Sequence, residues 1–504
     1  MNTGFFSQPM MQSPYPILLF SIVQLFSSDA GAISKEAKRP NVLFICVDDL
    51  RPELGCYGAN YIKSPNLDKL GSSGMVFNNH FTQVPTCGAS RASLLTGLLP
   101  ASKGHLSNEA CRKFISGKPE EARPETFIHH LKRDGYHTVG IGKISHYVDG
   151  LLYGYTDPVG TERELPHSWN ELVFDPGKWK TGWNAFFGYA DGENRQSMKG
   201  QVKPYERGKV EDDGYVDGLT ARLAVKKLGE LSKRDQPFFL GVGFFKPHLP
   251  FNAPSKYWDL YDESKIELTP SPHVPEHVNK ASLHQSGEFN GYKAGDENAA
   301  LEKPLSDAYA RKVRHAYFAA VSYVDAQIGK VLEELERLGL AENTIVVVWG
   351  DHGWHLGDQL VWGKHTIFER ALRSVLIVKM PNSGQAGTRI DRVVSSVDIY
   401  PTLMELCGTT MPFETDGKSF VPLMKNPATT SWNEAAYGYF NNGISLRTER
   451  YRLTTYFRKE EPTIELYDHL SDPNENRNIA GDHPEVVRQL MPVLQKGNTG
   501  LFGK

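Results

Sequence analysis

An apolar run from Asn41 to Val47 that stops on the acidic pair Asp48-Asp49 constrains the fold of this chain more than any other segment. A strand that is apolar on both faces has to be covered on both faces, which is the situation at the centre of a parallel sheet. Strand and helix patterns then alternate along the chain, predicting an α/β fold: a mainly parallel sheet sandwiched by helices. Helical patterns occupy 65–72, 90–96 and 126–133, the last ended by Gly135, and 137–142 reads as another strand. A helix is expected over 217–232 and a buried strand over 237–244. The longest helical pattern covers 307–338, with Phe318, Val321, Val324, Ile328, Val331 and Leu335 at helical spacing. The runs 344–349 and 375–379 are β-rich, and Asp398 is placed to cap a helix ending at Cys407, with Gly408 beyond it. Two stretches, 153–216 and 271–304, lack any period; insertions that long in a compact domain are usually functional, so these are expected to frame a binding cleft. After Met424 the pattern changes to short β-like stretches and a closing helix at 484–494. The expected organisation is a catalytic α/β domain over 38–424 and a smaller C-terminal α+β domain over 425–504.

With 504 residues, 40% of them hydrophobic, the chain can bury a large core. The formal charge of −3 is spread without a run of one sign, so no footprint for nucleic acid or a membrane surface is present. Five cysteines without a Cys-x-x-Cys pair support neither a disulfide framework nor a zinc ribbon. Cys46 falls in the first strand; Cys56, Cys111 and Cys407 are open to pairing. An apolar stretch over 17–26 followed by Ala30-Gly31-Ala32 reads as a secretory signal peptide over 1–32, too short to span a bilayer. Its positive flank is missing, since no Lys or Arg precedes Lys35. An exported protein is expected, periplasmic or secreted, without stable membrane insertion. The absence of any Asn-x-Ser/Thr acceptor favours a bacterial setting.

Cys87 lies in Cys87-Gly88-Ala89-Ser90-Arg91, small residues ahead of an apolar helical run. A group there is presented at a helix N-terminus, where free N–H groups and the helix dipole favour an anion. Taken alone, a lone cysteine is better read as a small buried hydrophobe. Asp48 and Asp49 end one strand, and Asp351 and His352 end another; open α/β sheets bind ligands outside those carboxyl ends. Either pair by itself is an ordinary solvated turn. Convergence is different, because two carboxylates about 4 Å apart repel by roughly 4 kcal/mol at an effective dielectric near 20. Three converging acids imply a cation; oxygen donors suit Ca²⁺ or Mg²⁺, while His352 leaves room for Mn²⁺ or Zn²⁺. Lys143 and Trp354 have plain readings as loop and core residues, and Arg51 as a structural ion pair or a partner for a substrate carboxylate. Pro247 and Pro250 restrict the backbone around His248 where no helix or strand explains them.

Together these segments resemble the type I sulfatase family. Cys87-Gly88-Ala89-Ser90-Arg91 with Leu95-Thr96-Gly97 is similar to its Cys-x-(Pro/Ala)-Ser-Arg signature, with Ala89 where Pro is commoner. The segments 41–52, 64–70, 344–354 and 466–476 resemble other parts of the family pattern. The segments 49–52, 55–58, 246–251 and 317–323, and Gly142-Lys143 with His146 three residues on, resemble its iduronate-2-sulfatase branch. The resemblance implies an alkaline-phosphatase-like fold and oxidation of Cys87 to formylglycine by a formylglycine-generating enzyme. It also implies one divalent cation, Ca²⁺ ahead of Mg²⁺ or Mn²⁺, held by Asp48, Asp49, Asp351, His352 and modified Cys87. Arg91 would then hold the hydrated aldehyde that attacks sulfur, with Lys143 and Lys364 gripping sulfate oxygens. His248 is the first choice for general acid and His146 for base. Those two roles are exchangeable, because Lys-x-x-His differs from the Lys-x-His of many sulfatases. Trp354 is a candidate to stack on a sugar ring. The implied substrate is a sulfated oligosaccharide or polysaccharide fragment, in particular the 2-O-sulfate of a terminal uronic acid. The alternatives are a formylglycine-dependent phosphonate or phosphate ester hydrolase and a catalytically dead sulfated-glycan-binding protein.

Overall fold

In the computed structural model every residue of Asn41–Val47 is buried, and alternate side chains feed different cores. Leu43, Ile45 and Val47 join one hydrophobic cluster, and Val42, Phe44 and Cys46 join a second. Period-2 alternation sends neighbouring residues to opposite faces, so a strand apolar throughout must feed two cores. The structure describes residues 38–115, 124–381, 384–432 and 435–502; the expected signal peptide lies outside them. Residues 39–504 form one compact unit.

The main sheet has eight strands in the order Thr388–Ser395, Met75–Phe81, Leu376–Lys379, Thr344–Gly350, Asn41–Val47, Phe238–Phe244, His137–Gly142 and Glu171–Val173. All pairings are parallel except those of Leu376–Lys379, which runs against both its neighbours. One core is closed by the long helix Asp307–Arg337, capped by Ser306, whose Oγ accepts from Tyr309 N. The other is closed by helices Cys87–Thr96 and Ile399–Leu406.

Three local features depart from the sequence reading. The helix expected from Ser90 begins at Cys87, making the thiol part of its first turn. Gly88 permits this, since a Cβ there would lie 2.1 Å from Asn108 O. Asp398 does not cap its own helix; its carboxylate accepts from Ser395 N (2.7 Å) and Lys418 N (2.8 Å) instead. The aperiodic stretch 153–216 supplies the edge strand Glu171–Val173 and the short strand Tyr205–Gly208, which pairs with Phe251–Pro254. All five cysteines are free.

An antiparallel sheet, Ala436–Phe440, Gly443–Arg447, Tyr451–Tyr456 and Ile464–Asp468, carries helix Pro484–Lys496. It is tied to the main body through Glu369, whose carboxylate meets Arg447 Nε (3.0 Å) and Arg452 Nη2 (2.5 Å). Arg452 also pairs with Glu475, whose second oxygen accepts from Glu369 N at 2.7 Å. This buried network lies five residues beyond Lys364 and anchors the chain that carries it. No helix among the described residues is long and apolar enough to cross a membrane.

His80, fully buried on Met75–Phe81, donates from Nδ1 to Ser374 O (3.3 Å) and meets Ser396 Oγ at Nε2 (3.0 Å). Burial pulls its pKa from 6.5 to about 3. The neutral form is the folded one, so this contribution to stability is complete above pH 6.5 and is lost as pH falls towards 3. Between pH 7 and 5 the wild type should lose about 2 kcal/mol more than His80→Gln, read from denaturant unfolding at each pH.

Candidate active site

The carboxyl ends of the adjacent parallel strands Asn41–Val47 and Thr344–Gly350 bring Asp48, Asp49, Asp351 and His352 together. The hydrogen bond Asp49 N to Asp351 Oδ1 (3.0 Å) ties the two ends. Cys87 enters from its helix N-terminus, with Sγ 3.3 Å from His352 Nε2 and 3.4 Å from Lys364 Nζ. Asp48 and Asp351 meet Arg91, one turn into the same helix: Nη2 lies 3.0 Å from Asp351 Oδ2 and 3.4 Å from Asp48 Oδ1. Arg91 Nη1 also donates to the carbonyls of Lys143 and Ile144, and Ser90 Oγ donates to Asp351 O (2.5 Å). Lys143 Nζ reaches Asp48 Oδ2 (2.5 Å), and Lys364 Nζ reaches Asp49 Oδ1 (3.0 Å).

Three buried carboxylates are thus faced by three buried cations, Arg91, Lys143 and Lys364. Burial alone would raise Asp48, but Lys143, His248 and Arg91 hold its carboxyl well below the ordinary range. Burial dominates at Asp49 and raises it, against the pull of Lys364. Burial and the nearby Asp48 push the Cys87 thiol up to about 12.

The donors fit a divalent cation. Oxygen or sulfur atoms of Asp48, Cys87 and Asp351 and a nitrogen of His352 lie within 4.8 Å of one another. His352 Nδ1 faces Gly353 O at 3.0 Å, and a carbonyl only accepts, so the proton sits on Nδ1. The Nε2 lone pair is left facing Asp49 (3.4 Å), Asp351 (3.7 Å) and Cys87, the orientation of a metal-ligating imidazole.

The two other histidines line the same site differently. His248 Nδ1 donates to Leu249 O (2.7 Å), while Nε2 faces Glu288 Oε1 (3.2 Å) and Asp49 Oδ2 (3.8 Å). His146 is buried against Trp183, the two rings tilted by 53° at 5.5 Å, with no hydrogen-bond partner at Nδ1. Burial and Lys143 lower its pKa, and burial with Lys364 lowers that of His248 to about 4.

One expectation requires correction. Trp354 is fully buried under Lys364, whose Nζ lies 5.3 Å from its ring, so the indole supports the lysine and offers no face to a sugar. Arg51 takes the structural ion pair, the plainer of its two readings: it is committed to Glu53 and to Asp358 (2.9 Å) and is 2% exposed, which leaves it unavailable to a substrate carboxylate. Conversely, sequence reasoning passed over Glu288. It contacts His248 and, at 3.6 Å, Lys364, but it sits in an aperiodic stretch where no spacing marks it. Asp217, which accepts from Phe245 N (2.9 Å) and Lys246 N (2.8 Å), likewise gave no signal beyond a place in a helix.

A cation-ready cluster beside a helix-borne thiol, at the carboxyl edge of a mainly parallel sheet, is the arrangement of an alkaline-phosphatase-like ester hydrolase. Residues 40–409 match the profile of the family described as Sulfatase, and 350–498 match that of N-sulphoglucosamine sulphohydrolase, C-terminal. The chain belongs to the sulfatase family and is a sulfuric ester hydrolase. A sulfatase of Formosa agariphila is 30% identical over 502 residues, spanning 96% of this chain and 92% of that protein. The iduronate 2-sulfatase of Mus musculus is 31% identical over 439 residues, spanning 80% of this chain and 74% of its own length. Among solved structures, the phosphonate monoester hydrolase of Agrobacterium radiobacter shares the fold. Its TM-score is 0.72 at 23% identity, over 91% of this chain and 95% of that one.

Proposed function

We propose that this enzyme removes sulfate from sulfated carbohydrate, in particular the 2-O-sulfate of a terminal uronic acid, through a formylglycine made from Cys87. The observation that carries the reading is the setting of Cys87 Sγ, between His352 Nε2 and Lys364 Nζ beside three buried aspartates. The mouse relative's name, iduronate 2-sulfatase, supports the choice of sugar. Oxidation by a formylglycine-generating enzyme gives residue 87 an aldehyde whose hydrate supplies the attacking oxygen. Asp48, Asp49, Asp351 and His352, with residue 87, would hold one divalent cation, Ca²⁺ by preference for oxygen donors, which supplies charge to polarise the ester.

The chain's own residues do the rest. Arg91, anchored by Asp351 and by the carbonyls of Lys143 and Ile144, fixes residue 87 at the helix N-terminus. The ammonium groups of Lys143 and Lys364 face the same space as Cys87 and offset charge on the sulfate oxygens. Nδ1 of His248 is engaged with Leu249 O, so Nε2, which faces Glu288 Oε1 at 3.2 Å, is the atom that would have to take up a proton, with Glu288 balancing the imidazolium, before giving it to the leaving sugar oxygen. His146 is the base. The same reading places the enzyme outside the cytoplasm, from the apolar stretch and Ala30-Gly31-Ala32 at the N-terminus.

The test is sulfate release from a terminal 2-O-sulfated uronate, a 6-O-sulfated hexosamine and a galactose sulfate, using protein co-expressed with a formylglycine-generating enzyme. Release only from the uronate is expected. Release from another sugar instead would overturn the choice of substrate, and silence with residue 87 converted would point to phosphonate esters. Chelation should lower the rate at least about 100-fold, with Ca²⁺ restoring it better than Mg²⁺.

A further inference from the structure

We infer that Arg195 binds the substrate's carboxylate and thereby selects uronic acids, an inference that rests on the uronate reading above. A sugar that carries both a sulfate and a carboxylate needs a second cation, and the obvious ones are committed. Arg51 is paired with Glu53 and Asp358, while Arg91, Lys143 and Lys364 each face an aspartate of the central cluster. Arg195 differs: half-buried, it has no carboxylate within ion-pair distance among the described residues. Its guanidinium lies over Phe187 (4.2 Å) and Tyr292 (5.2 Å), between the two aperiodic stretches expected to frame the cleft. Its backbone N–H donates to Phe187 O (3.1 Å), so main chain and side chain are both seated on that residue.

The position suits the chemistry of the ring. Phe187 packs on Phe186 at 4.7 Å, and Phe186 in turn touches His248 (4.6 Å) and Lys143 Nζ (4.6 Å). Tyr155, 43% exposed, stands edge-on to Phe187 (5.6 Å) and to Trp183 (4.6 Å), which flanks His146. Arg195 is therefore on the aromatic wall that carries the proton-transfer candidates, separated from them by the Phe186–Phe187 pair. In a pyranose the 2-O-sulfate and the carboxylate on C5 lie on opposite sides of the ring. With sulfur at residue 87, the carboxylate is carried on the side of the ring away from the buried floor, where Arg195 is a cation without a carboxylate partner among the described residues. A guanidinium already oriented by two rings loses little freedom on binding, and its planar fork matches a carboxylate in two parallel hydrogen bonds.

The experiment compares a terminal 2-O-sulfated uronate with its carboxyl methyl ester, on the formylglycine-bearing wild type and on Arg195→Gln. The wild type should prefer the acid, and the variant should lose that preference. Its kcat/KM for the acid should fall roughly 10- to 100-fold, chiefly through KM. Arg195→Lys, which keeps a cation without the fork, should fall between, and replaces the Gln variant if that protein does not fold. An equal loss on acid and ester would overturn the role of Arg195 and leave the uronate reading intact. A wild type inert on the acid but active on another sugar sulfate would overturn the uronate reading, and this inference with it.

Discussion

Replacing Cys87 with alanine should lower sulfate-ester hydrolysis by at least about 10⁴-fold, the loss that follows removal of a nucleophile acting within a coupled set of groups. The remaining machinery would stay in place. Asp48, Asp49, Asp351 and His352 are held by their strand ends, and Arg91 and Lys143 by contacts that do not involve the thiol. Alanine fills most of the volume at a site 4% exposed, and the small neighbours Gly88 and Ala89 keep the first turn of the helix intact. The melting temperature should therefore move little while turnover disappears. Cys87→Ser separates two ideas, because an ordinary hydroxyl that attacked sulfur would be left as a stable ester. Mass spectrometry of the serine variant after incubation with substrate should find either no change or a single retained sulfate, and no sustained release. A rate within tenfold of wild type for Cys87→Ala would remove residue 87 from the chemistry altogether.

How much of this was legible in the chain depended on which physical signal each part leaves. Asn41–Val47 could be read as a central strand because burial on both faces requires an unbroken apolar run, which Val42 to Val47 supply. From it followed the placement of Asp48 and Asp49, and by the same rule that of Asp351 and His352 after Thr344–Gly350. The reversed direction of Leu376–Lys379 had no such signature, since a four-residue strand with three buried residues reads alike in either orientation. Asp398 looked like a helix cap from its position, but its carboxylate accepts from Lys418, twenty residues away, which no local pattern announces. Glu288 and Arg195 share a reason for having been overlooked. Both belong to stretches whose course is set by long-range contacts, such as Lys293 N to Gly200 O (2.8 Å), and not by a repeating pattern. The cluster was legible because regular elements carry it, whereas the residues that line the approach were not.

The second large effect is on stability. Arg91→Met should cost about 3–5 kcal/mol, the penalty for breaking a buried ion pair by removing one partner. Arg91 is fully buried, and its guanidinium meets Asp351, Asp48 and the carbonyls of Lys143 and Ile144. Methionine can fill much of the space but satisfies none of those acceptors, leaving Asp351 and Asp48 short of a countercharge where water cannot reach them. The midpoint of guanidinium unfolding should fall accordingly without a change in slope. Neutralising the main partner tests the cause. Asp351→Asn alone also strands a charge, so the double variant Arg91→Met/Asp351→Asn should be less destabilised than the sum of the two single variants. That coupling should be absent with a buried substitution in a separate hydrophobic cluster, such as Leu494→Ala on the C-terminal helix. If the two effects simply add, Arg91 stabilises the fold through its carbonyl contacts and the helix it anchors, and the charge balance of the cluster is kept by the lysines alone.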